Sequence, residues 1–131
     1  MALASSFNGG NAQTALQNAS VTPVAQTLST EDQVEAYFSD IPVMVEIARC
    51  ESRMRHYDKN GNVIHGEIDS GDIGVMQINE RYHRDTAKKL NLEINKLQDN
   101  MVYARKLYER EGTTPWASSS KCWAKTQVAS K

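Results

Sequence analysis

Residues 47–79 read IARCESRMRHYDKNGNVIHGEIDSGDIGVMQIN, and three kinds of pattern follow one another within them. The first belongs to a helix. Ile41, Met44, Val45 and Ala48 fall at the i, i+3, i+4, i+7 spacing of one helical face, and Glu51 lies four residues after Ile47 and three after Ala48. Glu51 therefore continues an apolar stripe. A carboxylate on such a face loses hydration, which disfavours its charged form and raises its pKa toward the working range of a general acid. The alternative is a side chain that turns to solvent or pairs with Arg53 or Arg55 at the helix end.

The second pattern is the turn chemistry of DKNGNV, residues 58–63. With Val63, Ile64 and Ile68 beside this Asn-Gly signal, short strands flanking loops are expected. The spacing of Asp58, Asn60 and Asn62 imitates the start of a calcium loop. Its glycine is displaced to position 61, however, and Asp69 stands where a bidentate glutamate is needed, so a turn is the better account. In the third pattern, DIGVMQIN, Gly71 and Gly74 bracket Asp72 and permit close backbone approach or unusual torsions. Asp72 can then face Glu51 across a cleft, with Asp69 as a fallback.

Working outward, residues 1–29 are rich in Ala, Ser, Asn, Gln and Thr and offer little large apolar area to offset the entropy of ordering them. They read as a linker or arm, without the basic start and apolar stretch of a signal peptide. From Thr30 a capping box with Gln33 opens a short helix whose apolar face is Val34, Tyr37 and Phe38, and Asp40 reads as the N-cap of the next helix, with Pro42 in its first turn. Downstream, residues 80–92 form a polar helix. Ile94, Leu97, Met101, Ala104 and Tyr108 then step through a longer amphipathic helix that Gly112 ends. TTPWASSSKCW carries turn chemistry and two tryptophans that need covering, and residues 126–131 read as a frayed tail. The folded unit is thus 30–125, α+β but mainly α.

Fifteen basic residues against sixteen acidic ones leave a net charge of −1, which calls for neither a nucleic acid nor an anionic membrane as partner. No apolar run reaches the roughly 20 residues of a membrane span. His56, His65 and His83 show no ligand spacing, so neither metal nor cofactor is expected.

From about Ile41 to Trp123 the residues resemble the lysozyme superfamily: a helix ending in Glu-Ser, a small irregular hairpin, Gly-x-x-Gln-Ile-Asn, and a helix carrying Asn100 to Ala104. Glu51-Ser52, GVMQ at 74–77, Asn100 and Tyr103 are similar to signatures of soluble lytic transglycosylases. Cys50-Glu51-Ser52 is similar to the catalytic start of resuscitation-promoting factors, and Asp72–Asn79 to the Asp-x-Gly-x-x-Gln-Ile-Asn run of c-type lysozymes. Two departures stand out. The transglycosylase Ala-Tyr-Asn-x-Gly segment is replaced by PWASSSKCW, and two cysteines cannot make the c-type disulfide set.

The resemblance implies a lysozyme-like fold with its small hairpin beside the catalytic helix, and cleavage of the β-linked glycan strands of peptidoglycan. Glu51 would be the proton donor. A retaining lysozyme needs a second carboxylate about 5–5.5 Å away and an inverting one about 6.5–9.5 Å, for either of which Asp72 is the candidate. A transglycosylase, the reading slightly ahead, needs Glu51 alone. Gln77, Asn79 and Met76 would line the substrate groove and Ser52 would support the acid. Tyr103 either points its hydroxyl toward the cleft or, as is commoner for Tyr at helical spacing, belongs to the core, and Trp116 and Trp123 either stack on sugars or anchor the core, the latter for at least one of them. In an exported wall enzyme, secreted, periplasmic or wall-bound, Cys50 and Cys122 would oxidise to one bridge. A monomer is expected. The reading from another class is a non-catalytic glycan-binding or secretion-assembly module that keeps the groove.

Overall fold

The computed structural model describes residues 28–129, so the expected arm, apart from Leu28 and Ser29, lies outside the described residues. Helix α1 (Thr30–Tyr37) starts at the expected cap residue itself. Ser29 is extended and its hydroxyl oxygen accepts from the Asp32 N–H at 3.0 Å, so Ser29, not Thr30, caps the helix. Helix α2 (Pro42–Ser52) has Ile41 at its N-cap and no side-chain cap. Asp40 is drawn elsewhere: both its oxygens accept from Arg105, at 2.9 and 3.0 Å, a bidentate pair that outcompetes a cap. The same guanidinium donates to the Tyr37 carbonyl at 2.7 Å and lies over the Tyr37 and Phe38 rings.

The sheet is small. Strand β1 (Asp72–Ile73) pairs antiparallel with β2 (Ile78–Asn79) in the register Asp72↔Asn79, Ile73↔Ile78. The fold is therefore α+β and mainly α, as the sequence implied. The strands expected around Val63, Ile64 and Ile68 do not form. Only two isolated bridges, Tyr57↔Val63 and His65↔Ile73, tie this segment to its neighbours, and Ile68 stands fully exposed. The preceding residues form the expected turn: the Asp58 carboxylate accepts from the N–H groups of Asn60 and Asn62, at 2.8 and 3.0 Å, and Gly61 takes the left-handed φ of 83°.

Helix α3 (Glu80–Lys89) is capped by Asn79, whose side-chain oxygen accepts from the Arg81 N–H. Helix α4 (Leu97–Glu111) starts after Ile94 and ends at Gly112, whose φ of 64° stops the helix as expected. The tail is no turn. A 3-10 helix (Thr114–Ser119), with Pro115 tolerated at its start, runs into α5 (Ser120–Ala129), which continues past the boundary expected at 125. Burial of Trp116 and Trp123 supplies the packing that turns this Ser-rich stretch helical.

One core joins these pieces. Val34 of α1 and Phe38 just after it, Met44, Ile47 and Ala48 of α2, and Met101, Ala104 and Leu107 of α4 meet Ile73, Val75, Met76 and both tryptophans. Helices α2 and α5 pack together and are stapled by Cys50–Cys122, with Cα atoms 6.0 Å apart. The bridge spans 72 positions. In the chain-entropy model such a closure is worth about 4 kcal/mol, so Cys50→Ser with Cys122→Ser, or reduction of the wild type, should lower the unfolding free energy by about that much in urea titrations.

Candidate active site

Glu51 sits on the last turn of α2, where the helix ends in an unusual way. Arg53 and Met54 both take left-handed torsions, with φ of 57° and 63°. Two such non-glycine residues in succession are disfavoured. They turn the chain sharply away and leave the helix end open to a cleft of about 860 Å³. Glu51, Arg53 and Arg55 line one side, His65–Asp69 and Asp72 the facing side, and Gln77 and Ser119 also reach it.

Glu51 is half-buried at this cleft. Loss of hydration pushes its pKa up; a hydrogen bond from Ser119 opposes the rise, and the charge of Asp72 adds to it. The expectation from the helical stripe is thus met: the carboxyl neither swings free nor pairs with Arg53 or Arg55. The Ser119 hydroxyl donates to Glu51 Oε2 at 2.6 Å, and Ser119 Oγ accepts from Trp123 Nε1 at 3.1 Å.

Across the cleft the acidic residues are held by a bracket. Asn79 Nδ2 donates to Asp72 Oδ1 at 3.0 Å and to Asp69 Oδ2 at 3.1 Å. Arg81 binds Asp69 Oδ2 at 2.5 Å and the Gly71 N–H donates to its other oxygen, which together hold the Asp69 carboxyl below the usual range. Asp69 is a fixed anion, while Asp72 faces Glu51 closely enough for its charge to be felt. A Cβ at Gly71 would meet the Arg81 guanidinium at 2.5 Å and push it from its place on Asp69.

The remaining expected site residues divide sharply. Gln77 is in the cleft, half-buried with φ of 52°, its amide donating to the Gly74 carbonyl at 2.9 Å. Asn79 is placed behind the wall, holding Asp69 and Asp72. Met76 is wholly buried, so it has no face to lay under a sugar. Trp116 is equally enclosed, donating its indole N–H to the Met76 carbonyl at 2.9 Å. Tyr103 is core, its hydroxyl tied to His83 Nδ1 at 2.9 Å. Ser52 reaches the cleft wall but is buried, its hydroxyl donating to the Ala48 carbonyl at 3.0 Å and accepting from the Arg55 N–H.

Three residues matter that the sequence reading did not assign. Ser119 holds the candidate acid. His56, given only a bland reading, is fully buried and accepts the Val75 N–H on Nδ1 at 2.9 Å. Asn100, known only through the resemblance, accepts the Met76 N–H at 3.0 Å and donates to the Ile73 and Ile94 carbonyls. Among the described residues, no cluster of His, Cys, Asp and Glu could hold a metal ion. Comparison with known proteins adds no relative: no family model, curated protein or solved structure matches the chain.

A raised carboxyl pKa has a thermodynamic sign. The folded chain keeps the Glu51 proton to higher pH than the unfolded chain does, so stability falls as pH rises from the ordinary glutamate range through the raised value. The penalty is fully present once the pH lies above the raised value. Glu51→Gln removes it and should raise Tm at pH 7, with the gain shrinking as pH falls toward about 4. Calorimetry across that range gives the check; an unchanged or lower Tm at pH 7 would contradict a desolvated acid.

Proposed function

We propose that the protein cleaves the β-1,4 glycan strands of peptidoglycan, with Glu51 as general acid and then general base, as a lytic transglycosylase. The observation that carries this reading is Glu51 itself: a carboxyl whose pKa is raised by lost hydration, held by one short hydrogen bond, at the edge of an open cleft. A carboxyl so tuned holds its proton to higher pH than an ordinary glutamate, which suits it to protonate a leaving oxygen.

The chemistry then uses one carboxyl. Protonated Glu51 gives its proton to the glycosidic oxygen as the bond from the muramyl C1 breaks, and positive charge develops on the sugar ring. The muramyl C6 hydroxyl attacks C1 and passes its proton to the Glu51 carboxylate, which restores the acid. Breaking one C–O bond and forming another leaves a 1,6-anhydro end without consuming water. Asp72, Gln77 and the exposed Ile68 line the same cleft and offer polar and apolar contacts to the glycan.

A specific observation keeps a second reading. Because the Asp72 charge reaches Glu51, the two carboxyls can also work as the pair of a lysozyme, with Asp72 as nucleophile or base. The third, a non-catalytic glycan-binding or secretion-assembly module, gives no reason for holding a desolvated acid in an open cleft. We place the protein outside the cytoplasm, at or near the wall. A disulfide fits an oxidising compartment, and no described helix is long and apolar enough to cross a membrane.

Release of soluble fragments from purified sacculi distinguishes these readings. Glu51→Gln should slow release by about 10²–10⁴-fold, the usual worth of a general acid, while still pelleting with the sacculi. Asp72→Asn should keep most of the rate if one carboxyl suffices; if it is as dead as Glu51→Gln, the two-carboxyl reading takes its place.

A further inference from the structure

Ser119 lies at a branch of hydrogen bonds that the chemistry above does not yet use. Its single hydroxyl proton has two acceptors in reach, Glu51 Oε2 at 2.6 Å and the Trp116 carbonyl at 3.1 Å. Its oxygen accepts from Trp123 Nε1 at 3.1 Å, and the same indole N–H lies 3.2 Å from the Trp116 carbonyl. Trp116 and Trp123 are almost wholly buried, so the core holds the carbonyl and the indole that flank the hydroxyl, while Ser119 itself is half-buried at the cleft.

A hydroxyl donates once and accepts twice. With Glu51 ionised, Ser119 donates to the carboxylate and the indole N–H supports the serine oxygen. With Glu51 protonated, the carboxyl O–H becomes the donor across the same 2.6 Å contact, and the serine proton turns to the Trp116 carbonyl. Every polar group is satisfied in both arrangements. Only one hydroxyl rotor moves between them, and rotations of that kind are fast compared with turnover.

We propose that Ser119 is the positioning residue that lets Glu51 serve first as acid and then as base within one turnover, by exchanging the direction of a single hydrogen bond. The proposal rests on the acid–base reading of Glu51 and deepens it. A fixed donor such as a lysine would favour the base and resist the acid, whereas a hydroxyl between two acceptors serves both. The disulfide fixes this geometry, since Cys122 lies three residues after Ser119 and is bonded to Cys50, the neighbour of Glu51.

Other charges around Glu51 do not depend on Ser119. Asp72 acts from β1; Arg53 and Arg55 follow α2 along the same wall; Asp58, His65 and Glu67 line the cleft beyond. From α5 the group presented to Ser119 is the Trp123 indole, and Lys121 on that helix is exposed. A change at Ser119 is therefore read through Glu51 and the indole.

The test is Ser119→Ala beside Ser119→Thr, which restores a hydroxyl, each checked for an unchanged fold by circular dichroism. Carbon-13 NMR follows the Glu51 carboxyl through its titration, nitrogen-15 NMR follows the Trp123 indole, and fragment release from sacculi gives the pH–rate profile. In the wild type the indole signal should track the Glu51 titration. In Ser119→Ala, Glu51 should titrate at higher pH, the indole should stop following it, the alkaline limb of the rate profile should move up with Glu51, and kcat should drop about tenfold with KM unchanged, in line with the loss of one aligned hydrogen bond. Ser119→Thr should recover all four. A Glu51 titration identical in wild type and Ser119→Ala overturns the proposal, as does a Ser119→Thr variant that matches Ser119→Ala. If the titration shifts but no variant, wild type included, releases fragments, the hold of Ser119 on the proton stands and the catalytic reading of Glu51 falls.

Discussion

The cleft depends on how the backbone of Ile73–Gln77, buried except at Gln77, is paid for. A single two-residue ladder closes this loop; the Gly74 and Gln77 N–H groups bond the Ile64 and Gly74 carbonyls, and the Val75 and Met76 N–H groups need side-chain partners. His56 and Asn100 supply them. His56 receives the Val75 N–H on Nδ1 and bonds the Asn95 carbonyl through Nε2 at 2.8 Å, which assigns the proton to Nε2 in a neutral ring. Burial pushes its pKa down and agrees with that state. Asn100 takes the Met76 N–H and gives both amide hydrogens, to Ile73 and Ile94. Gly74, with φ of 73°, passes between the two side chains, where a Cβ would overlap the His56 ring and lie 2.8 Å from the Asn100 amide. The loop can hold only this course, and it sets where Asp72 and Gln77 meet the cleft.

Against that rigid wall, α2 presents one side chain whose placement works against stability. Glu51 is desolvated with one strong hydrogen bond, and the left-handed pair Arg53-Met54 adds backbone strain beside it. Both are offset by the core shared by α1, α2, α4 and the C-terminal helices, and by the bridge that staples α5 to α2. Strain and a costly carboxyl at one point, surrounded by well-satisfied polar groups, is the pattern expected of a working site.

Much of this was legible in the sequence. The stripe from Ile41 through Glu51 follows from a 3.6-residue period, and so does the half-burial of the acid. Gly112 and the Asp58 turn follow from local chemistry. Asp40 was misread because a cap is a local rule, and Arg105 lies 65 residues away. The strand signal at Val63–Ile68 came to no more than isolated bridges, because Ile64 and Gly66 bond different stretches, the His56 and the Asp72 carbonyls, and β propensity does not register where partners lie. Met76, Tyr103 and Trp116 looked suited to a glycan, yet large apolar side chains in a chain of this size go first to the core. Ser119 carried one signal: once Cys50 and Cys122 are paired, the residues one helical turn before Cys122 must lie beside Glu51.

In the proposed reaction a single desolvated carboxyl performs both proton transfers. Mass spectrometry of the fragments that the wild-type protein releases from purified peptidoglycan tests this. Anhydromuramyl ends are expected, each one water lighter than a hydrolysed end. Reducing muramyl ends throughout would contradict it and would show that water, not the sugar's own hydroxyl, completes the reaction.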